Sequence, residues 1–363
     1  MKKILLSLCM VLSLVACKDE KKESAQTDKR PIVKIGAMLP MSGDMAEFGV
    51  NSRYAIEFAA EDHKDSPIKF EVIFEDDTFT PSRAAVIANK FVSVDKVDAI
   101  VSSFSPAGSA VSPIADKAKV LHISLSNAAN IAEGELNFTD WQQSDIAAQK
   151  LVDYLVSQNC KKVVSFNMET VGNEEMRINT NHFLDEKGIE YKEFYFNPGN
   201  RDFELMIQKA LDFGADYWIL NSFSPEQDIL RKKMIENKID IPVVNIQCMK
   251  LSKNLKLFEN QAFADAPDGN KEFIERMAKK TSSKVLNIAA YAYDIVNLIM
   301  QANEDFYAKN NRIANDYELA DTLKKTKFYQ GVVGELEVQD NGVIKSPSVM
   351  KKIINGEAII LDN

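Results

Sequence analysis

Histidine, cysteine and basic charge are all in short supply along this chain. Its three histidines, His63, His122 and His182, are scattered through 363 residues without partners at ligand spacing, so no metal site is expected. Cys160 and Cys248 are far apart and build no disulfide framework. Two buried thiols are expected there ahead of a pair. Lysine and arginine number 44 against 53 acids, a formal net charge of −9, and an acidic surface is a poor partner for nucleic acid. Serine-hydrolase elbows, phosphate-binding loops and dinucleotide fingerprints are missing, so the chain is read as no enzyme and as needing no cofactor. The longest apolar run, residues 4–16, falls short of the ~20 residues that span a bilayer as a helix.

That run nevertheless has a purpose. Lys2 and Lys3 precede it, and together residues 1–16 read as a secretory signal peptide. It ends in Leu14-Val15-Ala16-Cys17, which resembles the lipobox of bacterial lipoproteins, where the cysteine becomes the acylated first residue. Cys17 is therefore the expected lipidation site, and two or more acyl chains suffice for stable anchoring. Cleavage removes two lysines and no acid, moving the formal charge from −9 to −11. Residues 17–31 are too polar to bury a core and read as a flexible tether, about 20 Å end to end as a coil.

From residue 32 the chain alternates strand and helix patterns. Strands are expected at 33–39, 70–74, 97–101 and 120–125, then at 162–167, 190–196, 217–220 and 243–246, with helices between them. Thr80-Pro81 and Ser105-Pro106 are helix-start signals, a hydroxyl followed by proline. A long helix over 286–302 and a shorter one over 317–325 follow. Asp340-Asn341-Gly342 and Asn355-Gly356 read as hairpin turns. Two successive runs of about four strands predict an α/β protein with two doubly wound parallel-sheet lobes. The acidic pairs Asp76-Asp77 and Glu174-Glu175 read as solvated surface.

Five blocks resemble, in order, the extracytoplasmic solute-binding proteins of the branched-chain amino acid ABC transporter type. They are "VKIGAMLPMSGDMAEFG", "VDAIVSSFSPAGSAVSPIADKAKVLHIS", "PGNRDFELMIQKALDFGADYWIL", "AAYAYDIVNLIM" and "FYQGVVGELEVQDNG". The resemblance implies the type I periplasmic-binding (Venus-flytrap) fold, with three crossovers near residues 139–145, 263–268 and 331–334. The first lobe would then comprise residues 32–140 with 268–331, and the second 141–267 with 332–363. It also implies a monomer that binds a small polar molecule, an amino acid, amide or organic acid, between the lobes and delivers it to an ABC permease.

Site residues follow from the same resemblance. Ser105, at a strand end and a helix start, matches the serine that meets a ligand carboxylate, though a helix-capping role alone would also explain it. Ser126 and Asn127 match a segment that holds carboxylate and ammonium, although Ala128 stands where many members have threonine. Phe48 and Phe223 match aromatic residues that close over ligand, and Trp141 falls at the first crossover. Two departures weigh against an α-amino acid. Val171 precedes Gly172 where members often carry an aromatic residue, and Gln247 stands near the acid that pairs the ammonium. A second reading, of another class, is a lipoprotein of the same fold that acts by protein contact, such as an activator of peptidoglycan synthases. Lys18 after Cys17 lacks the aspartate of inner-membrane retention, and "CKDE" resembles a surface-export signal of some Bacteroidetes lipoproteins. The expected place is thus extracytoplasmic and lipid-anchored, with inner or outer membrane open.

Overall fold

The computed structural model describes residues 28–281 and 284–361. The signal peptide, the lipidation site Cys17 and the tether as far as residue 27 lie outside the described residues. The described residues from Pro31 onward belong to one compact unit.

The chain first lays down β1 (Ile32–Leu39), α1 (Ala46–Asp62), β2 (Lys69–Asp76), α2 (Pro81–Lys90), β3 (Ala99–Ser103), α3 (Ser105–Ala118), β4 (Leu121–Leu125) and β5 (Asn137–Asp140). It continues with α4 (Ser144–Ser157), β6 (Lys162–Met168), α5 (Val171–Lys187), β7 (Glu190–Phe196), α6 (Glu204–Phe213), β8 (Tyr217–Asn221), α7 (Glu226–Glu236), β9 (Val243–Ile246) and β10 (Ala262–Asp265). Last come α8 (Lys271–Lys280), α9 (Asn287–Asn310), α10 (Asp316–Thr326), β11 (Phe328–Gly331), β12 (Gly334–Val338), β13 (Val343–Lys345), β14 (Val349–Ile354) and β15 (Glu357–Ile360).

Two sheets organise these elements. The larger runs β2-β1-β3-β4-β5-β13-β12-β11, parallel from β2 to β13 and antiparallel thereafter. The smaller runs β7-β6-β8-β9-β10-β14-β15, with only the last two strands antiparallel to their neighbours. Helices cover the sheets because the central strands are apolar on both sides; β3 and β4 are buried along their whole length. The α9 face carrying Ile295, Val296 and Ile299 packs with Ala55 and Ala59 of α1 into the first core. Each fully buried valine, leucine or isoleucine there contributes about 1.5–3 kcal/mol. Among the described residues no helix is long and apolar enough to cross a membrane.

The chain passes between the sheets three times. It leaves the larger sheet at residues 141–143, between β5 and α4, and returns at 266–270, between β10 and α8. The resemblance places the third crossing at residues 331–334. In the structure those residues turn β11 back onto β12 within the larger sheet, and the crossing comes at residues 346–348. β12 and β13, assigned from sequence to the second lobe, therefore belong to the first. The physical reason is that Gly331-Val332-Val333-Gly334 reads from sequence only as a break between strands, and strand pairing alone shows it to be a hairpin. α9 also outruns its apolar pattern: beyond Ala302 the sequence turns polar, yet the helix continues to Asn310 and stops where Asn311 adopts φ 53°. β5 and β10 have no strand signature because they are four residues long and carry buried polar groups.

Candidate functional site

The order 2-1-3 in the larger sheet makes β1 and β3 a point where successive connections diverge, the usual place for a ligand crevice in open parallel sheets. A cavity of about 130 Å³ lies at the carboxyl ends of β3, β4 and β5. Phe104, Ser105, Leu125, Ser126, Asn127, Trp141 and Ile288 line it, and none of these seven is charged.

Ser105 is brought there by a strained turn. Phe104 has φ 66° and ψ 149°, a conformation almost reserved for glycine, and its N–H donates to the Leu125 carbonyl (2.9 Å). α3 then begins at Ser105 with Pro106 in its first turn. The serine does not cap its helix; its Oγ hydrogen-bonds the Ser126 Oγ instead (2.7 Å). Ser126 Oγ also accepts from the Ala128 N–H (3.1 Å). Gly108 makes this approach possible, because a Cβ there would collide with Ser124 Oγ on β4. The first N–H groups of a helix lack partners within it, so the start of α3 adds a partial positive charge beside the two hydroxyls.

Aromatic rings flank Phe104. Phe48 meets it edge-on with ring centroids 5.9 Å apart, and Phe79 does so at 5.4 Å. On the other side Trp141 leans on Tyr291 at 4.6 Å. Gly49, next to Phe48, lets α1 sit against the backbone carbonyl of Pro40, where any Cβ would clash. Phe79 depends on Asp76 and Asp77, which are not the solvated pair read from sequence. Asp76 Oδ1 accepts from the N–H groups of Met41 and Thr78 (2.9 Å each), and Asp77 Oδ1 accepts from that of Phe79 (2.9 Å). Asp77 is 1% exposed. These bonds hold Thr78 and Phe79 at φ 51° and 57°, each costing on the order of 1–3 kcal/mol.

The candidates from sequence separate into two groups. Ser105, Ser126, Asn127 and Trp141 come together around the cavity, and Phe48 stands behind Phe104. Phe223 and Gln247 do not line it. Phe223, just past β8, is 39% exposed. Gln247 Nε2 donates to Gln142 Oε1; Gln142 Nε2 donates to Ser348 Oγ, which donates to the Asp265 carbonyl (3.3 Å). Gln247 is thus bound to the crossovers. The side chains of Val171, Gly172 and Cys248 lie outside what the structure describes. Cys160 is a free, buried thiol, pushed up to about 11 by burial. Phe79, Phe104, Leu125 and Ile288 had no functional signal in sequence; only the Ser105-Pro106 pair beside Phe104 points to that turn.

Buried charge is compensated at the crossovers and not at Asp140, whose carboxyl oxygens have no hydrogen-bond partner. Lys351 Nζ lies between Asp265 (2.9 Å) and Asp268 (2.7 Å), and Lys250 Nζ also reaches Asp265 (2.7 Å). Burial, with the charge of Asp294, holds the Asp140 carboxyl well above the usual range, and burial pushes Asp294 up to about 7. Burial also lowers His122 to about 4 between Ser102 and Asn137.

The family described as periplasmic binding protein matches residues 32–231, over half of the chain. Several solved structures share the fold. A branched-chain amino acid ABC transporter periplasmic ligand-binding protein from Burkholderia xenovorans has a TM-score of 0.82 at 16% identity, covering 91% of this chain and 94% of its own. An ABC transporter substrate-binding protein from Desulfitobacterium hafniense, in complex with Leu, gives 0.78 at 18%, covering 91% and 100%. A solute-binding protein of an ABC transporter from Rhodopseudomonas palustris, in complex with 3,4-dihydroxybenzoic acid, gives 0.71 at 20%, covering 91% and 96%. No curated protein sequence matches the chain.

Proposed function

Since this chain belongs to the periplasmic binding protein family, we propose that it is an extracytoplasmic solute receptor, lipid-anchored through Cys17, that delivers a small carboxylate-bearing molecule to an ABC permease. The observation that carries the reading is the hydroxyl pair Ser105–Ser126 at the start of α3, opening into a cavity with no charged lining residue. With Ser126 donating to Ser105 Oγ, the Ser105 O–H is left to donate to a ligand carboxylate, beside the unpaired N–H groups of the helix start. The leucine and 3,4-dihydroxybenzoic acid bound by two proteins of this fold both carry a carboxylate.

The second lobe then closes over the ligand, with Phe223 as the side chain that covers it and Gln247 steadying the crossovers. Binding selects the closed arrangement, and the permease reads that closure. The protein works as a monomer.

Thermal unfolding of the purified protein, stripped of carried-over ligand by a denaturing wash, tests this against amino acids, amides, organic acids and aromatic acids. A true ligand at 100 times its Kd stabilises by about 2.7 kcal/mol. Ser105→Ala is expected to abolish most of that shift. Stabilisation untouched by Ser105→Ala overturns the site, and silence across the library favours action by protein contact.

A further inference from the structure

We propose that Asp140, Ser346 and Tyr291 hold an alkali cation, sodium or potassium, where the first and third crossovers meet α9. The site is separate from the cavity at the start of α3 and does not depend on a solute being bound there.

Strand register brings the three residues together. Ile344 of β13 pairs with Asp140 of β5. Side chains alternate along a strand, so Ser346, two residues beyond Ile344, faces the same side of the sheet as Asp140. That side belongs to α9, because Phe138 and Ile344 share a core with Tyr291 and Ile295. Ser346 lies beside both the Asp140 carboxyl and the Tyr291 hydroxyl. Asp140 and Tyr291 are fully buried and Ser346 is 2% exposed.

Polar satisfaction fails here more than anywhere else among the described residues. Nine buried side-chain polar atoms lack a hydrogen-bond partner, and four of them converge at this point: both carboxyl oxygens of Asp140, the Ser346 Oγ and the Tyr291 hydroxyl. Buried polar groups are normally paired, so such a concentration asks for a shared partner. No cationic side chain supplies it. The charged neighbour of Asp140 is a second acid, Asp294, which is itself engaged by the N–H groups of Val332 and Val333. The ammonium groups of Lys250 and Lys351 are taken by Asp265 and Asp268. A proton on Asp140 gives one donor and leaves the remaining oxygens unserved, whereas one cation is shared by all four. Oxygen donors alone select a hard ion. Calcium takes about six to eight oxygens, commonly from several carboxylates, while a single carboxylate matches a single positive charge. The cation fastens the first and third crossovers to one helix. Trp141, next after Asp140, leans on the Tyr291 ring and also lines the ligand cavity, so the site sits directly behind it.

Urea unfolding of the purified protein in sodium, potassium or choline chloride tests the proposal. Ionic strength is held equal, so that screening is the same throughout. EDTA is present, and the pH is 8, where few protons compete for the carboxylate. Above its Kd, each tenfold rise in sodium or potassium is expected to lower the unfolding constant about tenfold relative to choline. Asp140→Asn keeps the shape, removes the charge and is expected to respond alike to all three salts. Ser346→Ala and Tyr291→Phe each raise the apparent Kd about tenfold or more. Equal stability of the parent in the three salts overturns the proposal and leaves a proton as the partner of Asp140. A response that survives Asp140→Asn overturns it too, as binding elsewhere. Should Asp140→Asn not fold, the other two variants decide, and an unchanged response in both overturns the site.

Discussion

His122 and Asp294 titrate against each other inside the first lobe. His122 is held near 4 by burial, below its unfolded value of about 6.5, so the unfolded chain binds more protons between those values and stability rises with pH. Asp294 is raised to about 7 by burial, despite accepting from the N–H groups of Val332 (2.7 Å) and Val333 (3.0 Å). The folded chain therefore keeps its proton longer, and stability falls as pH rises from about 4 to 7. Asp140, raised in the same direction, adds to that fall. Relative to the parent, Asp294→Asn is expected to flatten the decline of stability between about pH 4.5 and 6.5. Removal of the imidazole by His122→Gln steepens it. Each effect is on the order of 3 kcal/mol across its full window. Urea unfolding at stepwise pH reads both; slopes moving in the same direction would contradict the assignment.

At the scale of an element, the turn after β2 shows how two acids organise a surface they do not themselves contact. Asp76 ties the β1–α1 loop, through Met41, to its own turn, through Thr78. Asp76→Ala leaves the Thr78 N–H without its acceptor and the Met41 N–H with only the Leu39 carbonyl (2.9 Å), and is expected to cost about 1–3 kcal/mol. Asp44, exposed in the neighbouring loop, is a fitting control, since a surface change of that kind stays within about 0.5 kcal/mol. The comparison is read as a shift in denaturant midpoint at constant slope. An Asp76→Ala protein as stable as Asp44→Ala would mean the turn holds without its carboxylate.

At the scale of the molecule, the three crossovers share one polar network. Gln142 lies in the first, Asp268 in the second and Ser348 in the third, with Asp265 and Lys351 at their ends. Lys351 is 1% exposed, and removing one partner of a buried ion pair strands the other. Lys351→Ala is therefore expected to lose about 3–5 kcal/mol in equilibrium unfolding. A loss below 1 kcal/mol would show that Asp265 is satisfied by Lys250 alone.

What sequence alone determined was the class of fold and a set of residues at the first lobe's strand ends that the structure brings around one cavity. The alternation of apolar runs with capped helices follows from local rules, and Ser105 announces itself by sitting before a proline where a strand ends. Ser126, Asn127 and Trp141 stand at strand ends in the same way. The rest needed the tertiary structure. β5 and β10 are strands only because neighbours pair with them. The third crossover is separated from a hairpin only by which strand β13 lies beside. Asp76-Asp77 looks like any charged surface pair until the loop after β1 folds over it. Phe79 and Phe104 have no periodicity to betray them, because each lies in a left-handed turn between elements, where the chain's direction is decided by distant hydrogen bonds. Gln247 was placed correctly at a strand end, yet its partner, Gln142, is 105 residues away. Contacts between residues so far apart in the chain are fixed by packing, and no local pattern encodes them.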